Sequence, residues 1–227
     1  MKKALSIFII SSIAFFSWGC KKDVIPEGYR VALTFDDGPD AKYTPQVLDI
    51  LNQEEIKATF FLIGKHIRQH PDVAQRIHNE GHCIGNHSYH HYWMPNMVLF
   101  HVMNEITTTE FLIDSICGSS LKYFRAPWGA IHKDQEAELV ARGYTVFNWD
   151  LDSNDWDIKH NSVDGIVNKV VEYAGSGKII LFHSADFAGV EGREKTVAAL
   201  PRIIRILKQQ HYRFVTLEEL VKERKLQ

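Results

Sequence analysis

Thr34-Phe35-Asp36-Asp37-Gly38-Pro39 sets two carboxylates side by side where an apolar run ends. Carboxylates that close repel each other unless a cation or a shared proton lies between them. The pair is therefore suited to holding a metal, carrying a proton, or both, although Asp-Asp-Gly-Pro by itself also fits an aspartate-capped turn. Further along, His82, His87, His90 and His91 fall within ten residues. His87 and His91 are four apart, which brings both imidazoles to one side of a helical turn, and His90 at a three-residue spacing competes with His91. Two histidines with one aspartate make a three-ligand site of the kind Zn²⁺ takes with a fourth position left for water, and Co²⁺, Mn²⁺ and Ni²⁺ suit the same donors. Arg125, in Arg125-Ala126-Pro127-Trp128-Gly129, is able to make a charge-assisted pair with an aspartate. Asp150, Asp152, Asp155 and Trp156 form a further polar group, and His183 closes the run Ile179-Ile180-Leu181-Phe182. Trp128 and Trp156 offer flat faces that suit an apolar sugar face or an acetyl methyl. Singly, each would serve as a core aromatic, and His183 as a satisfied core histidine.

These groups need a frame, and each follows an apolar run of strand length. Val31–Phe35, Ala58–Ile63, His82–Gly85, Lys122–Arg125, Thr145–Trp149, Lys178–Phe182 and Arg213–Val215 read as seven strands. Between them helices are expected from Thr44 as N-cap with Pro45 in the first turn, and over Pro71–Asn79, Met97–Ile116, Lys133–Arg142, Ser162–Ala174, Thr196–Gln209 and Leu217–Arg224. Apolar strands joined by helices imply a parallel sheet covered on both faces, either curled into a barrel or open and doubly wound. In both cases the working end lies at the carboxyl ends of the strands. Asp36-Asp37, the histidine cluster, Arg125, the Asp150–Asp155 group and His183 all fall there, and their convergence on one rim outweighs the bland reading of each.

The chain has 227 residues, a formal charge of −2 and 45% hydrophobic residues, so a sizeable core is possible. It carries no basic stripe, which argues against nucleic acid as a partner. Lys2 and Lys3 precede an apolar run, Ala4 to Phe16, that is short for a membrane span, and Gly19 stands before Cys20. The expected organisation is a signal peptide over residues 1–19 of the lipoprotein type, with Cys20 lipidated and anchoring the chain to a membrane. A tether over 20–28 and one catalytic domain over 29–227 follow. Cys83 and Cys117 have no metal-ligand spacing and are expected as buried free thiols, a disulfide between them in an oxidising compartment being the alternative.

Taken together, the clusters resemble the polysaccharide deacetylases of carbohydrate esterase family 4, over roughly residues 29–220. Thr34–Pro39, His87-Ser88-Tyr89-His90-His91, Arg125–Gly129, Asp152-Ser153-Asn154-Asp155-Trp156 and Leu181-Phe182-His183 match the family's five motifs in order. Ser184 departs from the pattern, since many members carry Asp there. The resemblance implies a distorted (β/α)7 barrel. It implies Asp37, His87 and His91 as metal ligands, which selects His91 over His90, and Asp36 as general base oriented by Arg125. It implies His183 as general acid tuned by Asp152, with Asp155 as the other choice. Trp128 would offer a backbone N–H to the oxyanion, and Trp156 and Leu181 would line the acetyl pocket. The implied activity is metal-dependent removal of N-acetyl groups from N-acetylglucosamine-type glycans such as peptidoglycan or chitin oligomers, by an exported, envelope-bound monomer. The rivals are an O-acetyl esterase on xylan-like chains and a non-catalytic envelope protein that binds carbohydrate.

Overall fold

The computed structural model describes residues 29–119, 121–186 and 192–224. The expected signal peptide, the lipidation expected at Cys20 and the expected tether lie outside the described residues. Eight strands form one sheet: β1 (Arg30–Asp36), β2 (Thr59–Leu62), β3 (Cys83–Asn86), β4 (Tyr123–Phe124), β5 (Thr145–Val146), β6 (Leu151–Asp152), β7 (Lys178–His183) and β8 (Arg213–Phe214). Every pairing is parallel, in the order β5-β4-β3-β2-β1-β7-β6. The helices between them are α1 (Tyr43–Gln53), α2 (Gly64–Gln69), α3 (Pro71–Asn79), α4 (Leu99–Cys117), α5 (Lys133–Ala141), α6 (Val163–Tyr173), α7 (Glu194–Gln209) and α8 (Leu217–Arg224).

Of the expected fifth strand, Thr145–Trp149, only Thr145–Val146 is strand, and a separate short strand, Leu151–Asp152, follows it. β5 pairs with β4 at one edge of the sheet and β6 with β7 at the other, and residues 147–150 carry the chain across between them. The two edges are thus joined by a single short crossing and the sheet curls on itself, which is the distorted (β/α)7 architecture, with the short last strand, β8, added beside the first residues of β1. Asp150 secures the crossing, its N–H donating to Ile179 O and its carboxylate accepting from Ile179 N.

Strand alternation decides what the curled sheet encloses. Val31, Leu33 and Phe35 face outward and pack with Leu48, Leu51 and Ile203 of the surrounding helices. Ala32, between them, faces inward among Phe61, Phe147 and Val215. The same period sends Thr34 and Asp36 inward on β1, and Ile179, Leu181 and His183 inward on β7.

Several helix starts differ from expectation. Thr44 does not cap α1. Asp40 does, its Oδ1 accepting from the N–H groups of Lys42, Tyr43 and Thr44 at 3.1, 2.7 and 2.8 Å. Thr44 is buried instead, donating from Oγ1 to Ser184 O at 3.0 Å. α2 was not expected, because its six residues are too polar and few to show helical periodicity. It begins at Gly64, where a Cβ would sit 2.4 Å from Thr109 Oγ1 on α4. Ser162, expected inside a helix, caps α6 by accepting from Gly165 N.

Candidate active site

The carboxyl ends of the strands surround a cavity of about 400 Å³. Asp36, Asp37, His87, His91, Trp128, Asp152, Trp156, Leu181 and His183 line it, with Trp149 and Arg193. Arg125 lies directly beneath, fully buried, and donates from Nη1 to Asp36 Oδ1 at 2.8 Å. The same Nη1 reaches Thr34 Oγ1 at 2.8 Å, Nη2 reaches Asn148 O at 3.1 Å, and the guanidinium sits 4.2 Å over the Phe61 ring. Burial raises Asp36 above the ordinary carboxylate range, against the pull of Arg125.

Asp36 reaches the cavity by strand alternation, but Asp37 would then point away from it. Its φ of 71° turns the chain into the left-handed region and brings the second carboxylate round. α2 supports that turn, with His66 donating from Nδ1 to the Asp37 carbonyl at 2.7 Å. Ser88, His91 and Trp128 also have positive φ, at 64°, 60° and 53°. Such strain, gathered on the loops of one rim, is held in place by its surroundings.

Asp37 Oδ1 lies 3.6 Å from His87 Nε2 and 3.4 Å from His91 Nε2. It is buried and has no hydrogen-bond partner. His87 gives its Nδ1 proton to Arg125 O at 2.7 Å, so its Nε2 presents a lone pair. Burial lowers His87 to about 3 and His91 to about 2, which keeps both imidazoles neutral. Burial raises Asp37 to about 6. A buried carboxylate oxygen without a donor, facing two neutral imidazole nitrogens, fits a divalent cation. Among the described residues these three are the group whose ligand atoms all lie within 4.8 Å of one another. His90 is not part of it, since its ring bonds Glu105 at 2.7 Å.

On the neighbouring strand His183 stands in register with Asp36. Its partner is Asp155, not Asp152. Asp155 Oδ1 accepts from His183 Nδ1 at 2.7 Å, and Oδ2 accepts from His183 N and Thr196 Oγ1, both at 2.8 Å. Asp152 is occupied elsewhere, accepting from Asn154 N at 2.7 Å and Trp156 Nε1 at 3.1 Å. The reason is the turn after β6, where Asn154 adopts a φ of 57° and carries Asp155 back under His183. Burial would lower His183, but the charge and hydrogen bond of Asp155, with Asp37 behind them, raise it to about 9.

Some contributors were not read from the sequence. Glu105, buried on α4, accepts from the N–H groups of Tyr89 and His90 at 3.0 and 2.7 Å and so fixes the histidine turn. Arg193, buried ahead of α7, donates to Ala185 O at 3.0 Å and places its charge near Asp37, Asp155 and His183. Neither sits in a motif. An acid on a long helix and an Arg before one have no local mark of burial. Ser184 is buried and donates its N–H to Asp36 O at 3.0 Å. Cys83 and Cys117 are free thiols.

A family model described as polysaccharide deacetylase matches residues 24–147. A peptidoglycan-N-acetylglucosamine deacetylase of Bacillus cereus is 40% identical over 202 residues, covering 86% of this chain and 70% of its own. Among solved structures, a peptidoglycan N-acetylglucosamine deacetylase in complex with a naphthalenyl N-hydroxybenzamide superposes with a TM-score of 0.78 at 39% identity, covering 86% of this chain and 88% of the other. The Xyl-CE4 domain of a multidomain xylanase from the hindgut metagenome of Trinervitermes trinervoides superposes at 0.79 and 37% identity, covering 87% and 92%.

Proposed function

Because this chain belongs to the polysaccharide deacetylase family, we propose that it removes N-acetyl groups from N-acetylglucosamine-containing glycans of the cell wall, releasing acetate. The observation that carries the reading is the junction, in one buried cluster, of the Asp37–His87–His91 group, able to hold a metal, with an Arg125-held Asp36 and an Asp155-held His183.

Asp37, His87 and His91 would hold a divalent cation, Zn²⁺ being the first choice for this donor set. When bound it supplies Lewis acidity, polarising the acetyl carbonyl and lowering the pKa of water toward neutrality. The remaining work falls to the chain. Arg125 occupies Asp36 Oδ1, which leaves Oδ2, 3.7 Å from His87 Nε2, to accept the proton of the attacking water. Its raised pKa makes it a stronger base than a surface aspartate. Trp128, on its left-handed turn, would direct its backbone N–H at the developing oxyanion. Leu181 and Trp156 would receive the acetyl methyl. The amine leaves poorly until protonated, and His183, charged below about pH 9, donates that proton from Nε2 while Asp155 holds Nδ1.

The same proposal places the chain outside the cytoplasm, carried by a signal over residues 1–19 and tethered through a lipid on Cys20. Among the described residues no helix is long and apolar enough to cross a membrane. The test is acetate release by the purified, Zn²⁺-supplied chain from N-acetylchitooligosaccharides, peptidoglycan and acetylxylan. Release from the N-acetylated members is expected. Release from acetylxylan alone would point to O-acetyl ester hydrolysis and sink the reading.

A further inference from the structure

The aromatic wall does not end at the cavity. Trp93, on the loop between β3 and α4, sets its indole against that of Trp128, with 5.8 Å between centroids and 52° between planes. Trp128 in turn meets the His91 ring edge-on at 4.3 Å. Trp93 is 49% and Trp128 53% exposed. Tyr92, next to Trp93 in the chain and also exposed, stacks on His90 at 4.9 Å and 19°. Single exposed rings are ordinary, whereas adjoining rings that continue out of a pocket mark a surface with a ligand.

The chain beneath these rings is pinned on both sides. Glu105 holds the N–H groups of Tyr89 and His90, and Ser88 Oγ accepts from His91 N at 3.0 Å. After Trp93, Met94 is buried, and Gln135 Nε2 donates to Met94 O and Met97 O at 3.0 and 2.8 Å. An exposed indole on a backbone already ordered loses little freedom on contact, which is the condition for a preorganised binding surface.

We infer that Trp93, set against Trp128, is a platform for the sugar rings that flank the one being deacetylated. The inference rests on the deacetylase reading above. A pyranose ring has an apolar C–H face bordered by hydroxyls. A flat indole covers that face and leaves the hydroxyls in water, so the match is to an uncharged sugar chain continuing from the cavity past Trp128. Contacts with such non-reacting sugars draw the substrate in and position it, and a shortened substrate cannot make them.

The experiment compares the full chain with Trp93→Ala and Trp93→Tyr, each supplied with Zn²⁺, on N-acetylated chitooligosaccharides of two and six sugars. Trp93→Ala is expected to lower kcat/KM on the longer substrate about tenfold more than on the shorter one, chiefly through KM. Trp93→Tyr, which keeps a ring, is expected to recover most of the difference. An equal loss on both lengths would make Trp93 a buttress for Trp128 and His91 and would overturn the inference. A length preference identical to the wild type would overturn it as well, while leaving the deacetylase reading standing. If the wild-type chain releases no acetate from either substrate, the platform inference is overturned, and the deacetylase reading falls with it only if peptidoglycan also yields no acetate.

Discussion

Asp155 and Asp152 share a segment and a charge, yet only Asp155 touches His183. Removing the Asp155 charge takes away what holds His183 near 9, so in Asp155→Asn the alkaline limb of the kcat profile moves to lower pH. The rate should fall by roughly 10²–10⁴, the usual worth of a positioned acid. Asp152→Asn leaves the limb in place, and a limb that moved equally in both variants would refute the pairing. Asp36 and Arg125 form the other buried pair. Arg125→Ala strands the Asp36 carboxylate without a counter-charge, which should cost about 3–5 kcal/mol of stability, read as a lowered denaturant midpoint. Asp36→Asn keeps Arg125 supplied with an acceptor oxygen. It should keep the fold and the metal while losing the base, a split that metal titration and kinetics on one sample would reveal.

β1 shows how far an element goes toward building the site. Its alternation buries Phe35 against Phe60 and Phe182 on one face and presents Asp36 on the other. No regular strand could present Asp37 as well, and the left-handed turn supported by α2 completes the pair. α4 acts on the histidine turn in the same manner. Glu105→Ala leaves the N–H groups of Tyr89 and His90 without their acceptor and loosens the backbone carrying His87 and His91. Supporting residues of this kind typically contribute 10–100-fold to metal affinity. A fall of that size in Zn²⁺ affinity by calorimetry is expected, and an affinity matching wild type would show that α4 does not position the site.

Across the whole molecule, the site's buried charges link metal, pH and stability. Asp37 is raised by burial to about 6 from an ordinary 3.8, so its contribution is fully favourable below about pH 4 and is lost as pH rises through 6. His87 and His91 remain neutral down to about 3 and 2 and do not compete for protons above that. Proton competition at the metal site therefore comes from Asp37. Zn²⁺ at a hundredfold excess over its Kd adds about 2.7 kcal/mol. The gain should be large at pH 8, where Asp37 is ionised, smaller at pH 5, and abolished by a chelator. Equal rises in Tm at the two pH values would contradict this. His183 works in the same sense, further toward the alkaline side. Raised to about 9, its pairing with Asp155 stabilises the fold fully below about 6.5 and is lost as pH rises through 9.

The amino-acid sequence by itself determined which residue types stand at strand ends and which way the strands present them. The alternation Ile179, Leu181, His183 and the apolar run before Asp36 were legible because strand period and chain punctuation are local properties. Spacing left His90 and His91 open as ligands. Only the structure turns His90 aside onto Glu105, a residue on another element. The choice of Asp155 over Asp152 was likewise illegible, since it hangs on one left-handed residue, Asn154, in the turn after β6. The shortening of the expected Thr145–Trp149 strand to Thr145–Val146, the separate edge strand Leu151–Asp152, the short helix behind Asp37, and the burial of Glu105 and Arg193 depend on contacts between segments far apart in the chain. So does the continuation of the aromatic wall from Trp128 to Trp93. Local pattern specifies an element and its faces, but which partner a buried polar group finds is decided only when distant elements close around it.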